Sequence, residues 1–478
     1  MRRTTMGHWP FGLLAKRAAK GSIEAEVRRQ AVQPKPVHLF WGYVNIWLYG
    51  ISWIVPGDYL IYCRICYLVS SLLWCLLIYA RLRLRPRLCF PVVAALVLQL
   101  WSVFCSVYAS FTLARPIGLG RADFYLLEHL VPFFVAAGLA QIDPKARDKL
   151  MNMMLVVLGL SCAAAWCQFF KVPGAAQFAR LYTYKDIDFW DGTVGLRAVG
   201  LTFHPGVLAA EALMGLAIVG SRVIVAVPRR NDILLMFFFS GAVVFSQARA
   251  MYVVLVAIWV YFAYGILVKN RTMALTVLGG GLVLIVVAGL FGQNRLGYAF
   301  QSSSLSEDSS YQYRAQAVWV QLDPIFPRFA VTGIGPSPGL LLGTGPEDKW
   351  VQQGHVMESC YRLMLAMYGI PGLIVYVFAL AGSLVISLWQ SFNKGIAPER
   401  RRWMVSGFAV AASIAIASYT ANTVDQYVIV PYAFMVAGLC TYEGRLMERR
   451  KAPRELKELP SRAVPALGGG VAQPETGA

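Results

Sequence analysis

Three side chains in two polar stretches of the chain have the chemistry of a transfer reaction. Arg197 lies in the stretch from about 172 to 203, and Arg314 and His355 lie in the stretch from about 294 to 356. Guanidinium groups bind anions through charge-assisted, bidentate hydrogen bonds, and an imidazole can accept a proton near neutral pH. These residue types predict a site in which two arginines hold an anionic leaving group and a histidine removes a proton.

Each of these residues also has a purely structural interpretation. Arg197 lies a few residues before an apolar run, where an arginine can reach lipid phosphates without further function. A histidine at a membrane boundary, such as His355, is commonly a packing or hydrogen-bonding residue. Glu358, one turn later, either orients that imidazole or complements a helix dipole. Arg249 is either a third anion contact or an interfacial arginine that stabilises a turn.

The elements that must position these groups are membrane-spanning helices. Hydrophobic residues make up 57% of the chain and the mean hydropathy is +0.54, with apolar runs of about 20 residues from end to end. The sequence therefore predicts an all-α polytopic membrane protein. We expect twelve spans, at about 38–56, 59–80, 88–113, 123–140, 150–171, 204–226, 232–247, 250–268, 273–293, 356–390, 404–421 and 426–442.

The seventh and eighth spans are separated only by Ser246 to Ala250, so the two can also be one long kinked helix, which would invert the topology downstream. The distribution of Lys and Arg favours two spans, because the basic segments then all fall on the cytoplasmic side, with both termini inside. The two polar stretches become periplasmic loops. The net charge of +19 is a topology signal on this interpretation, and nucleic acid is not expected as a partner.

The chain divides into a basic cytoplasmic tail at 1–37, a transmembrane domain at 38–442 and a disordered cytoplasmic tail at 443–478. Nine scattered cysteines do not indicate a disulfide framework. The loops lack a cluster of carboxylates and histidines, so neither a metal nor another cofactor is expected.

The loops themselves suggest binding of sugars. In the first loop, aromatic residues alternate with carboxylates, a composition that suits sugar rings as well as a membrane interface. Tyr184, Trp190 and His204 are the candidate sugar contacts. In the second loop, residues 308–322 are expected to form an amphipathic helix that carries Arg314, and the Gly- and Pro-rich stretch at 331–345 to form turns.

Several motifs resemble those of the O-antigen ligase and polymerase superfamily of integral membrane glycosyltransferases. Residues 197–213 (RAVGLTFHPGVLAAEAL) are similar to its R-x-x-G-x-F-x-(H/N)-P-x-x-L signature. Arg314, the GIGPSPG stretch, Gly354-His355 and MYGIPGLI at 367–374 follow in the family's order, and SQARA at 246–250 is similar to its Ser-x-Ser-Arg turn. The chain departs from the pattern at Thr202, Ala248 and Met367.

The resemblance implies a GT-C-like helical fold, with a long helical periplasmic loop between spans nine and ten. It implies transfer of glycan at the periplasmic face of the inner membrane, from an undecaprenyl-diphosphate-linked oligosaccharide, by a metal-independent inverting mechanism. Arg197, Arg314 and Arg249 would hold the diphosphate, and His355, oriented by Glu358, would deprotonate the acceptor. We expect His355 to face the two loop arginines across one cavity.

The acceptor separates the remaining alternatives. A polymerase uses a second lipid-linked repeat, a ligase uses lipid A core, and a protein oligosaccharyltransferase uses a protein. The departures at Met367 and near Arg249 favour a polymerase. The alternative from another class is a flippase or transporter, which would need polar groups at the middle of the bilayer, such as Arg64 or Glu211, and commonly two related halves.

Overall fold

The structure is a computed structural model, and every regular element that it describes is an α-helix. It describes residues 36–55, 57–82, 84, 90–112, 122–143, 145–182, 198–202, 205–225, 229–267, 274–275, 278–283, 329–333, 335, 359–393 and 398–420. The helices are α1 (Pro36–Ile54), α2 (Gly57–Arg81), α3 (Phe90–Thr112), α4 (Ala122–Ile142), α5 (Ala146–Phe169), α6 (Ala175–Arg180), α7 (Pro205–Val225), α8 (Arg230–Phe245), α9 (Arg249–Leu267), α10 (Cys360–Phe392) and α11 (Pro398–Thr420).

The helices lie close to the predicted spans. Within the described residues, five segments are long and apolar enough to cross a membrane, namely Tyr62–Arg81, Val92–Thr112, Asp148–Phe169, Pro205–Val225 and Cys360–Phe392. The expected boundaries differ from the observed ones chiefly at the tenth span, where the helix begins at Cys360, and at the eleventh, which begins at Pro398. Most of span 273–293, all of span 426–442, the helix expected at 308–322 and both tails apart from Pro36 and Val37 lie outside the described residues.

Helix α7 lies at the centre of the bundle and packs against α5, α8, α9 and α11. Of the segments that can cross a membrane it is the most enclosed, with 94% of its apolar window buried. Small residues explain this position, because they allow neighbouring helices to approach closely. The aromatic rings of Phe239 and Phe262 occupy the space that a side chain at Gly215 and at Gly220, respectively, would need.

Helices α8 and α9 are two antiparallel helices. The Trp259 Nε1 atom donates a hydrogen bond to Ser240 Oγ at 3.0 Å, and the Trp259 and Phe237 rings lie 5.6 Å apart. In one continuous helix, Ser240 and Trp259 would be separated by about 28 Å. The chain therefore reverses direction at 246–248, as expected for two separate spans.

A cluster of charged residues lies at one end of the helices. Arg222, near the end of α7, donates to Asn152 Oδ1 at 2.7 Å, and its charged neighbours Asp148, Arg229, Asp232 and Arg402 come from α5, α8 and α11 and the segment before α8. We call this the basic end. It includes the exposed cations Lys149, Arg229 and Arg230.

The segment 198–202, the turn at 246–248 and Ser359 lie at the other end, which we call the loop end. Helix α5 connects the two ends, because Asp148 is near its start and Gln168 is at its close. Helix α10 also runs from one end to the other. Its first residues lie beside Ser418 near the close of α11, whereas Ser391 near its own close accepts a hydrogen bond from Arg401 Nε near the start of α11.

Candidate functional site

The segment 198–202 continues directly from Arg197 and is buried within the loop end. Ala198 is fully buried, and its amide donates to the Phe245 carbonyl at the close of α8 at 3.0 Å. The amides of Val199 and Gly200 both donate to Gln168 Oε1 at 2.9 Å. The first loop, expected to be polar up to about residue 203, therefore re-enters the protein before α7 begins.

Gly200 makes this close packing possible. Its φ is +63°, a left-handed conformation that residues with a Cβ adopt at a cost. A Cβ atom there would also lie 2.7 Å from the Ser161 carbonyl oxygen and 2.8 Å from Leu208 Cδ1. The close contact of the loop backbone with α5 therefore explains why the R-x-x-G motif has a glycine at this position.

The turn between α8 and α9 lies beside this segment. Gln247 has a φ of +50°, and Ser246 Oγ accepts a hydrogen bond from the Ala248 amide at 3.2 Å while donating to the Val243 carbonyl at 2.6 Å. The turn delivers Arg249 as the first residue of α9, where the structure describes its main chain but not its side chain. The chain segments that carry Arg197 and Arg249 thus meet at the Ala198–Phe245 hydrogen bond.

The start of α10 is fixed to the close of α11. Ser359 Oγ donates to the Ser418 carbonyl at 3.3 Å, and the Tyr361 hydroxyl donates to the Ala415 carbonyl at 2.7 Å. Glu358 directly precedes Ser359 in the sequence, and His355 lies three residues before Glu358. The first described residue after them, Ser359, lies at the loop end.

Residues 330–333 and Gly335, at the start of the glycine-rich stretch, dock on a break in α10, the helix predicted as the tenth span. Gly369 has φ +67° and ψ −168° inside this helix. That conformation releases the Ile370 amide from the helix, and it donates instead to the Ala330 carbonyl at 2.7 Å. Pro371 has no amide hydrogen to offer the Met367 carbonyl, which accepts from the Gly335 amide at 3.0 Å.

A side chain completes this junction. Trp101 Nε1 on α3 donates to the Tyr368 carbonyl at 2.8 Å, which satisfies another carbonyl next to the break. A Cβ atom at Gly369 would overlap the Val331 carbonyl, and one at Gly333 would overlap the main chain of Met367. The GIG and YGIPG motifs, which are 32 residues or more apart in sequence, therefore form one contact in space.

All of the predicted site side chains lie outside the described residues. These are Tyr184, Trp190, Arg197, His204, Arg314, His355 and Glu358, together with the side chain of Arg249. The expectation that His355 faces Arg197 and Arg314 across a cavity stays a prediction. The described residues show that the segments that adjoin Arg197, His204, Arg249 and Glu358 share the loop end.

Sequence reasoning missed the polar residues that hold these segments in place. Gln168 and Ser161 lie on α5, and Ser161 lies beside Glu211 on α7. Glu211 is 4% exposed, and its Oε2 atom has no hydrogen-bond partner among the described residues. A glutamine and a serine inside an apolar span beside a polar loop were the available signal.

Burial raises the pKa of Tyr182, which keeps this hydroxyl neutral at physiological pH. No group of three His, Cys, Asp or Glu side chains within the described residues is placed to hold a metal ion.

The chain matches no protein-family model and no curated protein.

Proposed function

We propose that the protein is a membrane glycosyltransferase that transfers glycan from an undecaprenyl-diphosphate-linked donor at the loop end. The observation that carries this proposal is the Ala198–Phe245 hydrogen bond, which joins the segment following Arg197 to the turn preceding Arg249. Two guanidinium groups suit a diphosphate, since each can bind two of its oxygens. The motif resemblance described above supports the same chemistry.

The basic end faces the cytoplasm, because positively charged loops are retained there. The loop end then faces the periplasm of a bacterial inner membrane, and both termini are cytoplasmic. A lipid diphosphate anchored in the outer leaflet has its headgroup at this level. No nucleotide is needed, because the diphosphate is already an activated leaving group.

In the reaction, an acceptor hydroxyl oxygen attacks the anomeric carbon of the donor sugar. The bond between that carbon and the diphosphate oxygen breaks, and its electron pair remains on the diphosphate. Arg197, Arg314 and Arg249 stabilise the developing charge, and His355, oriented by Glu358, takes the acceptor proton. In-line attack inverts the anomeric centre, which requires the base and the arginines on opposite faces of the sugar.

Aromatic and polar side chains of the first loop bind the glycan. Tyr184 and Trp190 stack on the apolar faces of sugar rings, and His204, directly before α7, contacts hydroxyl groups. The acceptor is a second lipid-linked repeat, which makes the protein a polysaccharide polymerase. Transfer to lipid A core or to protein is the alternative for the same site.

The test uses purified protein with an undecaprenyl-diphosphate-linked oligosaccharide and measures release of undecaprenyl diphosphate. We expect release by the wild type and a loss of about 10²-fold or more in Arg197→Ala, Arg314→Ala and His355→Ala. Arg180→Ala is the matched control, because Arg180 is an exposed arginine of the same loop. Equal turnover in all four variants would remove the proposed site.

The acceptor is tested in cells that lack the protein. Lipid-linked single repeats in the deletion strain support a polymerase. Accumulation of lipid-linked polymer instead supports a ligase.

Transport is the second candidate, because Glu211 is an acidic residue enclosed in the central helix. Ionisable residues within spans often mark the path of a substrate or ion. A transporter moves the intact lipid-linked glycan, so movement across the membrane of proteoliposomes without release of undecaprenyl diphosphate would favour this function over transfer.

A further inference from the structure

Gln168 uses its whole side-chain amide to hold the segment that follows Arg197. Its Nε2 atom donates to the Gly200 carbonyl at 2.8 Å, and its Oε1 atom accepts from the Val199 and Gly200 amides. Gln168 is 1% exposed. Burying an amide in an apolar span costs free energy unless it is hydrogen bonded, and the Gln168 amide is hydrogen bonded to the backbone of Val199 and Gly200.

Four consecutive main-chain amides of this segment are held by other elements. The amide of residue 198 donates to α8, those of 199 and 200 donate to Gln168, and that of Leu201 donates to Ser161 Oγ at 3.3 Å. Leu208 on α7 packs against the same segment, since its Cδ1 atom would lie 2.8 Å from a Cβ at Gly200. With these donors engaged, the segment itself does not offer amides to an anion, and its position is set by α5, α7 and α8.

We propose that Gln168 is a positioning residue for the donor diphosphate, acting through Arg197. Arg197 is bonded covalently to Ala198, and the anchored segment fixes the position of Ala198. An arginine binds phosphate more effectively when its backbone is fixed in advance, and a displacement of about 1 Å can cost about 10²-fold in rate. This inference rests on the proposed function of Arg197.

The chain supplies a matched control in Gln141 at the close of α4. Both glutamines have a side-chain atom in a buried setting, but Gln141 Nε2 has no hydrogen-bond partner among the described residues. Gln141 lies in α4 shortly before α5 begins, whereas Gln168 lies near the C-terminal end of α5. The 24 residues of α5 separate the two by about 36 Å. Replacing either glutamine by leucine removes the same amide at opposite ends of the bundle.

The experiment measures kcat and KM for release of undecaprenyl diphosphate by Gln168→Leu, Gln141→Leu, Arg197→Ala and the Gln168→Leu/Arg197→Ala double variant. We expect Gln168→Leu to lower kcat/KM for the donor by about 10- to 100-fold and Gln141→Leu to change it less than about 2-fold. The double variant should be no slower than Arg197→Ala, because Gln168 acts only through the arginine. Losses that multiply in the double variant would overturn the inference, since they would show an effect independent of Arg197.

A binding measurement separates positioning from folding. Inorganic pyrophosphate should raise the Tm of the wild type and of Gln141→Leu, and raise it less in Gln168→Leu and Arg197→Ala. Ser161→Ala replaces Gln168→Leu in this measurement if Gln168→Leu does not fold. It removes only the hydrogen bond to Leu201 on this segment, so we expect pyrophosphate to raise its Tm slightly less than that of the wild type. If Gln168→Leu folds and its Tm responds to pyrophosphate as the wild type does, the positioning role is contradicted. If it does not fold, the same response in Ser161→Ala contradicts that role.

The outcomes distinguish this inference from the function on which it rests. Wild-type turnover in Arg197→Ala removes the proposed site whatever Gln168 does. Impaired turnover in Arg197→Ala together with wild-type turnover in Gln168→Leu leaves the site in place and overturns only the role of Gln168.

Discussion

The Ala198 amide donates to the Phe245 carbonyl at 3.0 Å, and this single bond joins two segments that are 47 residues apart in the chain. Arg197 precedes one partner, and the turn that leads to Arg249 follows the other. If both arginines bind one diphosphate, their losses must be coupled. We expect Arg197→Ala and Arg249→Ala each to lower kcat/KM by about 10²-fold, and the double variant to lose clearly less than about 10⁴-fold.

The measurement is a double-mutant cycle on release of undecaprenyl diphosphate. Arg229→Ala is the control, because Arg229 is an exposed arginine at the basic end. Strict additivity of the two losses would show that the arginines act on separate groups.

Gly200→Ala tests the packing of the loop on α5. The new Cβ would meet the Ser161 carbonyl and Leu208 in a left-handed conformation, so we expect a loss of about 2 to 4 kcal/mol in stability. Gly159→Ala is the control, since nothing lies within 4 Å of a Cβ at that helical position. It should be neutral or stabilising by up to about 1 kcal/mol.

The two variants are compared by thermal unfolding in the same detergent. A Gly200→Ala protein as stable as Gly159→Ala would mean that the segment is not held against α5 as described.

Trp101→Phe tests the junction at the break of α10. It removes the donor to the Tyr368 carbonyl and leaves that acceptor unsatisfied, so we expect a loss of about 1 to 3 kcal/mol. Trp389→Phe makes the same change on α10 at a side chain that is 69% exposed, and it should have little effect. Equal Tm values for the two variants would argue against a structural role for the indole hydrogen bond.

The fold was largely predictable because membrane spans are read from local composition. Helices α1 to α9 each lie within a few residues of a predicted span, apart from the short α6. The break at Gly369 was not predicted, because it depends on a contact with residues 330–335 that are distant in sequence. A hydropathy profile does not detect such contacts, although the Gly-Ile-Pro-Gly sequence was a local signal of irregular backbone.

The candidate site stays a prediction, because the side chains that form it lie outside the described residues. The motif at 197–213 identified the loop, but the roles of Gln168 and Ser161 depend on helix packing that a single sequence does not reveal. Glu211 is recognisable in the sequence as an intramembrane acid, yet its position beside Ser161 required the structure. Spacing along one chain cannot specify which helices touch.

A pH-dependent contact lies at the basic end. Asp143 accepts hydrogen bonds from the Tyr43 hydroxyl at 2.6 Å, the Lys145 amide at 2.8 Å and Lys149 Nζ at 2.9 Å. Burial acts to raise the pKa of Asp143, but these donors outweigh it and lower the pKa overall. The lowered pKa stabilises the folded protein above the ordinary aspartate pKa of about 3.9, and this stability is lost as pH falls through the folded value.

Asp143→Asn should therefore lower Tm between about pH 5 and 8, and the difference from the wild type should shrink below about pH 4. The measurement is Tm against pH for both proteins. A difference that stays constant down to pH 3, a value well below about 3.9, would show that the carboxylate charge is not what stabilises this turn.

We propose that Arg197, Arg314 and His355 meet in one chamber at the loop end, and an experimental structure with bound undecaprenyl diphosphate would locate all three side chains. We expect both guanidinium groups within about 3 Å of phosphate oxygens and His355 across the cavity from them. A diphosphate held elsewhere, or any of the three side chains at the basic end, would contradict it.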